Sequence, residues 1–237
     1  MKRHSRADGA APPRAIAGYC QFGRAELAGE TREEPAETIL ATLLFADVEG
    51  FSRLSEAEVP RFVEQFLGRV AELARPYDEA ILVRETWGDG LFFALNSVQA
   101  AGNMALALSE LFPIFAAEPR QFSRPLPLRI ALHVGPVHLG INPITGLASC
   151  SGTHVSGASR LEPKTPAGQV YASAAFATFA SLEQAQGFTC EFVKQISWAK
   201  RLGKFPTYVV RRDPECSQPR RPVEGAVHEY RGASLEG

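Results

Sequence analysis

Two apolar runs, each ending in an aspartate beside a glycine turn, constrain this chain more than any other feature. The first is LLFADVEGFSRLSE at residues 43–56 and the second is RETWGDGLFFAL at residues 84–95. Each leaves its apolar run, presents one carboxylate, Asp47 or Asp89, and turns through glycine. Two such carboxylates brought together would hold hard divalent cations. Mg²⁺ and Mn²⁺ take oxygen ligands and are usually bound by a carboxylate or two plus substrate phosphates. The pair therefore points to metal-assisted phosphoryl chemistry on a nucleotide. Aspartate beside glycine is also an ordinary turn residue, so the reading rests on the pair and its context.

The surrounding pattern gives the class. Residues 37–48 climb into the continuous apolar run ILATLLFADV, which suits a strand buried on both faces. Val59, Phe62, Val63, Phe66, Leu67, Val70, Leu73 and Ala74 recur at helical spacing and predict about four turns. A strand at Glu79 to Arg84, a tight turn over Trp87 to Gly90 and a strand at Leu91 to Leu95 form a hairpin with Asp89 at its tip. A helix capped by Ser97 runs to Ala117, LRIALHVG reads as a buried strand, and GPVHLGI as a second strand returning beside it. Glycines and Pro143 mark a loop before THVSGASRLE, a helix bearing Arg160, and QVYAS, a helix at Ala174 to Ala180 and two further strands complete the domain. Strands and helices interleave with hairpins as well as crossovers, so the fold class is α+β on a mostly antiparallel sheet.

Residues 1–36 and 213–237 read as a flexible N-terminal extension and a C-terminal tail around a domain at 37–212, because both ends are rich in Pro, Gly, Ala and mixed charge. A chain of 237 residues with a net charge of -1 shows no basic footprint for nucleic acid. The four cysteines are scattered and form no CxxC, so neither a zinc site nor a disulfide framework is expected. No apolar run is long enough to span a bilayer. These features suggest a soluble, cytoplasmic protein.

Taken in order, FADVEGFS, TWGDGLFFA, LRIALHVGPV, GTHVSGASRLE, PAGQVYAS and KFPTYVV resemble the class III nucleotidyl (adenylate and guanylate) cyclase catalytic domain over residues 41–212. The resemblance implies a ferredoxin-like core working as a head-to-tail homodimer. It implies two divalent cations, Mn²⁺ or Mg²⁺, bound by Asp47, Asp89 and the Val48 carbonyl, and Arg160 as the catalytic arginine that stabilises the pentavalent phosphate. Phe45, Gly50, Phe51 and Ser52 would meet the substrate, Gly50 by letting the backbone approach the phosphates and Phe51 and Ser52 by opening a helix. A helix capped by serine is the plainer reading of that turn. Ser156 stands where the family usually has asparagine, four residues before the arginine. Lys204 is placed as the triphosphate-binding lysine, with Lys200 and Arg201 nearby.

The wording VPRFVEQFLG, TWGDGLFF, GTHVSGASRLEPKTPAGQVYAS and KFPTYVV is most like the bacterial pyrimidine (uridylate) cyclases of Pycsar antiphage defence. That implies conversion of UTP to cyclic UMP, read by a separate cyclic-nucleotide-binding effector. At the base-reading positions stand Glu85 and Ser149, nearer to the guanylate pair of the family than to its adenylate pair. A carboxylate accepts equally from uracil N3–H or a cytosine amino group. Trp87, two residues on and so on the same side of an extended strand, would fill the space that a purine's second ring needs; a core or interface aromatic is the alternative. Cytidylate, guanylate or adenylate synthesis, or a degenerate module that binds nucleotide without turnover, remain open. His133 and His138 read as structural.

Overall fold

The computed structural model describes residues 37–117, 122–123, 125–197 and 203–214, with the side chains of 112–117 excepted. The expected N-terminal extension and all but the first two residues of the tail lie outside the described residues, as do Lys200 and Arg201.

An eight-stranded sheet organises the domain, in the order β2-β3-β1-β4-β6-β8-β7 with β5 paired to β4. The strands are β1 (Glu37–Val48), β2 (Ile81–Trp87), β3 (Gly90–Leu95), β4 (Leu128–Ile141), β5 (Ala148–Ser151), β6 (Val170–Ser173), β7 (Phe188–Ser197) and β8 (Lys204–Arg212). Among the described residues only β4 and β6 run parallel. The helices are α1 (Val59–Arg61), α2 (Gly68–Ala74), α3 (Val98–Ala117), α4 (Thr153–Leu161) and α5 (Ala174–Leu182). The expected α+β class is what the chain adopts.

β1 is buried on both faces, as its unbroken apolar run requires. Leu44, Ala46 and Val48 join the larger core, packed with Phe62, Phe66, Met104 and Phe176 from the helical side. Ala41 and Leu43 join a smaller cluster on the opposite face with Val83, Phe92, Ala94, Val137, Cys150 and Ala158. Successive residues of a strand point to opposite faces, so residues 43, 45 and 47 share the second face. That face carries α4.

Two local readings need correction. LRIALHVG and GPVHLGI are one strand, not a returning pair: β4 pairs with β1 without a break from Val48↔Leu128 to Glu37↔Leu139. The Gly135-Pro136 turn signal is overridden because both halves share this long partner. On its other edge β4 pairs with β6 at residues 130–132 and with β5 at 138–141, so Pro136 sits in the gap, where a missing N–H costs no ladder bond. The predicted four-turn helix does span Val59 to Ala74, but its middle, Phe62–Leu67, is a π-helical segment between α1 and α2. It stacks Phe62 on Phe66 at 4.8 Å within the core.

Candidate active site

The two aspartates arrive by different routes at one end of the sheet. Asp47 lies at the end of β1, directly opposite Arg129 on β4. Asp89 lies in the two-residue turn between β2 and β3, where Gly88 adopts φ 65° and Trp87 pairs with Gly90. Burial raises the Asp89 pKa, and the nearby Asp47 carboxylate adds to the rise. The two carboxylates therefore feel each other, as a shared cation site requires.

Arg129 and Glu162 join them, and the sequence reading named neither. An Arg129 Nη donates to Asp47 Oδ2 in an ion pair. On its other side Arg129 Nε stands 3.1 Å from Glu162 Oε1. That approach lacks hydrogen-bond geometry, and both atoms are buried without another hydrogen-bond partner among the described residues. Burial pushes the Glu162 carboxyl up to about 7; Asp47 and Asp89 add to the rise and Arg129 opposes it. A signal for these two residues did exist: Arg129 is the lone charge in LRIALHVG, and Glu162 follows Arg160 by two.

Gly50 holds φ 88°, a left-handed conformation that glycine adopts without strain. The turn behind it, Phe51–Arg53, is a three-residue 3₁₀ segment without a side-chain cap, so the helix expected to open at Phe51 and Ser52 opens at Val59 instead. The Phe51 ring packs against Phe62 at 4.7 Å. Ser55 and Glu58 close the loop: Glu58 Oε2 accepts from Ser55 N and Oγ, while Oε1 accepts from Ser123 N. The Val48 side chain is buried in the main core.

Glu85 and Trp87 follow Val83 along β2 at the two-residue period, on the sheet's second face. Trp87 is 58 % exposed and stacks on Phe92 at 6.1 Å, with Phe45 on Phe92 at 4.6 Å behind it. Glu85 lies near Cys150, whose thiol is raised to about 11 by burial with Glu85 adding to it. Ser149, the neighbour of Cys150 on β5, pairs with Gly140. The chain thus brings Glu85 and the Ser149 segment together.

Ser156 and Arg160 lie one turn apart on α4 and are both exposed. Arg160 has no hydrogen bond or ion pair among the described residues. Beneath α4, the buried His133 bonds Ser173 Oγ through Nδ1 at 2.8 Å and His154 Nδ1 through Nε2 at 2.9 Å. Lys204 opens β8, which runs antiparallel to β6, so it lies toward the end of the sheet opposite to Asp47. A single chain does not bring Lys204 to the aspartates.

This constellation is that of a nucleotidyl cyclase. The family model of the adenylate and guanylate cyclase catalytic domain matches residues 33–212, and the chain belongs to that family. None of the curated proteins matches the chain. Among solved structures it is similar to the dimeric guanylyl cyclase domain of the RhoGC fusion protein from the aquatic fungus Blastocladiella emersonii. Identity is 22%, covering 75% of this chain and 100% of that one, with a TM-score of 0.63. The adenylyl cyclase CyaB from P. aeruginosa aligns at 20% identity over 74% of this chain and 96% of its own, TM-score 0.63. The guanylate cyclase domain of RhGC from Catenaria anguillulae, in complex with GTP, aligns at 22% over 75% and 99%, TM-score 0.63.

Class III cyclases use divalent metal ions, and the residues here fit them. Asp47 and Asp89 supply hard oxygen donors, and Asp47 already attracts a cationic side chain, Arg129. No helix among the described residues is long and apolar enough to cross a membrane.

Proposed function

We propose that the protein is a pyrimidine nucleotide cyclase that converts UTP to 3′,5′-cyclic UMP and pyrophosphate, with Mn²⁺ or Mg²⁺ held by Asp47, Asp89 and the Val48 carbonyl. The observation that carries the choice of base is the Glu85–Trp87 pair on one face of β2, with the indole braced on Phe92. Resting on Phe92, the indole would narrow a base pocket closed by a partner subunit, and overfilling a packed pocket costs about 1–3 kcal/mol. That is enough to favour a one-ring base over a two-ring base. Glu85 accepts from uracil N3–H, and Ser149 supplies a hydroxyl beside it.

The working form is a head-to-tail homodimer with composite sites. Asp47, Asp89 and the Phe45 to Ser52 stretch come from one subunit; Glu85, Trp87, Ser149, Ser156, Arg160 and Lys204 come from its partner. The exposed, unpaired Arg160 and the remote Lys204 support this reading, since neither is engaged within its own chain's aspartate cluster. The ribose 3′-oxygen forms a bond to the α-phosphorus, the bond from that phosphorus to the α,β-bridging oxygen breaks to release pyrophosphate, and the hydroxyl proton passes to solvent. Asp47, Asp89 and the Val48 carbonyl would hold divalent ions there, whose chemistry would be to lower the hydroxyl pKa and neutralise phosphate charge. Arg160 donates to the oxygens of the pentavalent phosphorus, where a fork of donors stabilises developing charge most. Ser156 orients the ribose, and Lys204 contacts the terminal phosphates.

The resemblance to Pycsar cyclases supports a role for the product in antiphage signalling through a separate effector. Guanylate synthesis is the second reading, favoured by Glu85 beside Ser149. The deciding experiment incubates purified protein with Mn²⁺ and each of ATP, GTP, CTP and UTP, resolving products by mass spectrometry beside an Asp47→Ala control. Cyclic UMP is the expected product. Cyclic GMP or AMP would overturn the pyrimidine reading, and no product from any triphosphate would leave a nucleotide-binding module.

A further inference from the structure

Arg129 touches two carboxylates of the cluster at once, Asp47 and Glu162. Its Nη end is bound to Asp47, whereas its Nε edge faces Glu162 at 3.1 Å in a geometry that completes no hydrogen bond. Buried polar atoms left in this state cost free energy, because the water they gave up has not been replaced. A guanidinium presents its donors as a planar fork that suits a bidentate carboxylate pair. Here the fork is pulled toward Asp47 and the second pair is left incomplete. A modest rotation away from Asp47 would complete it.

We infer that Arg129 has two stations, and that Glu162 is the positioning residue that defines the second. In the first station the guanidinium neutralises Asp47 and competes with divalent ions for it. In the second, with Asp47 engaged elsewhere, Glu162 holds the guanidinium at the edge of the site. The inference rests on the reading of Asp47 and Asp89 as ion ligands. Without Glu162 the arginine loses the carboxylate that draws it away from Asp47, the one it is already bonded to, so it competes harder and ion binding weakens. Without Arg129 the competitor is gone and ion binding strengthens. Glu162 and Arg129 therefore affect ion affinity in opposite directions, and the effect of Glu162 runs through Arg129.

The test titrates the purified full chain with Mn²⁺ alone, without nucleotide, reading free Mn²⁺ by its electron paramagnetic resonance signal. Couplings of this kind are typically about five- to a hundredfold. Arg129→Gln is expected to tighten Mn²⁺ binding about tenfold, and Glu162→Gln to weaken it about fivefold. Glu162→Asp, which keeps the charge, should restore most of the wild-type affinity. The decisive variant is the double change: with Arg129→Gln already present, adding Glu162→Gln should alter affinity little. If Glu162→Gln weakens Mn²⁺ binding equally in both backgrounds, Glu162 acts on the ion directly and the inference falls. It falls also if Arg129→Gln fails to tighten binding. Asp47→Asn tests the underlying reading separately: it should abolish the tight Mn²⁺ site, and unchanged binding would overturn both readings. Circular dichroism of each variant identifies any that fail to fold, and Glu162→Asp with Arg129→Lys then carries the comparison in their place: the lysine, which keeps the charge but loses the fork, should weaken the dependence on Glu162, and an undiminished dependence would overturn the inference.

Discussion

Gly135 on β4 leaves the space that the His154 imidazole of α4 occupies, and a β-carbon at position 135 would overlap that ring. His154 is bonded to His133, so it has no free rotation away from the clash. Overpacking of this kind costs about 1–3 kcal/mol. Gly135→Ala is therefore expected to lower the unfolding free energy by that amount, seen as a lower urea midpoint at an unchanged m-value. Because α4 carries Arg160, the same change should reduce kcat more than it reduces Mn²⁺ affinity. A midpoint equal to wild type would show that the helix gives way without cost.

Glu162 should make the protein less stable as pH rises. Its carboxyl is raised from 4.5 to about 7, mainly by burial, so the folded state holds a proton that the unfolded state releases. Stability then falls as pH climbs from about 4.5 to 7 and levels off above that. The contribution is at most about 3 kcal/mol across the window. Glu162→Gln is expected to flatten this segment of the profile, measured by urea unfolding in EDTA so that no divalent ion holds the carboxylates charged.

His133 should act in the opposite sense over nearly the same range. Burial, with His154 adding to it, depresses its pKa from 6.5 to about 4, so the folded state stays neutral where the unfolded state takes a proton. Stability is lost as pH falls from about 6.5 to 4, again by at most about 3 kcal/mol. The wild-type profile should thus be nearly flat between pH 4.5 and 6.5, the two groups offsetting each other. His133→Asn is expected to remove one side of the balance and leave stability declining with rising pH through this interval. A profile that stays flat would show that the two groups do not offset each other.

The parts of this architecture that could be read from sequence are those set by short-range pattern. The two-sided burial of β1 follows from its unbroken apolar run, and the common face of Glu85 and Trp87 follows from a period of two. Ser97 caps α3 as its position suggests, its Oγ accepting from Ala100 N at 3.1 Å. What escaped reading depends on partners far away in the chain. Gly135-Pro136 looks like a turn until β1 is laid along the whole of β4. Arg129 looks like a stray charge in a strand until the register sets it opposite Asp47. Glu162 gains its role only because α4 returns over the second face, beside β1 and β4. Local pattern carries none of these pairings, because they are fixed by sheet register and by the docking of α4.

The composite site proposed above, with Asp47 as ion ligand on one subunit and Arg160 as phosphate ligand on the other, predicts how mixed subunits behave. Asp47→Ala removes the ion ligand of one half-site and Arg160→Ala removes the phosphate ligand contributed by the other. Each variant alone should be inactive, since every site in its homodimer lacks one of the two groups. In a mixed dimer the Asp47 of one subunit meets the Arg160 of the other, so one site is complete and the second lacks both groups. Equal mixing gives half heterodimers, so about one quarter of wild-type activity should return. Differently tagged subunits allow the heterodimer to be purified and assayed by itself, where the expectation rises to about one half. A purified heterodimer with no activity would show that the aspartates and Arg160 do not act across the subunit boundary.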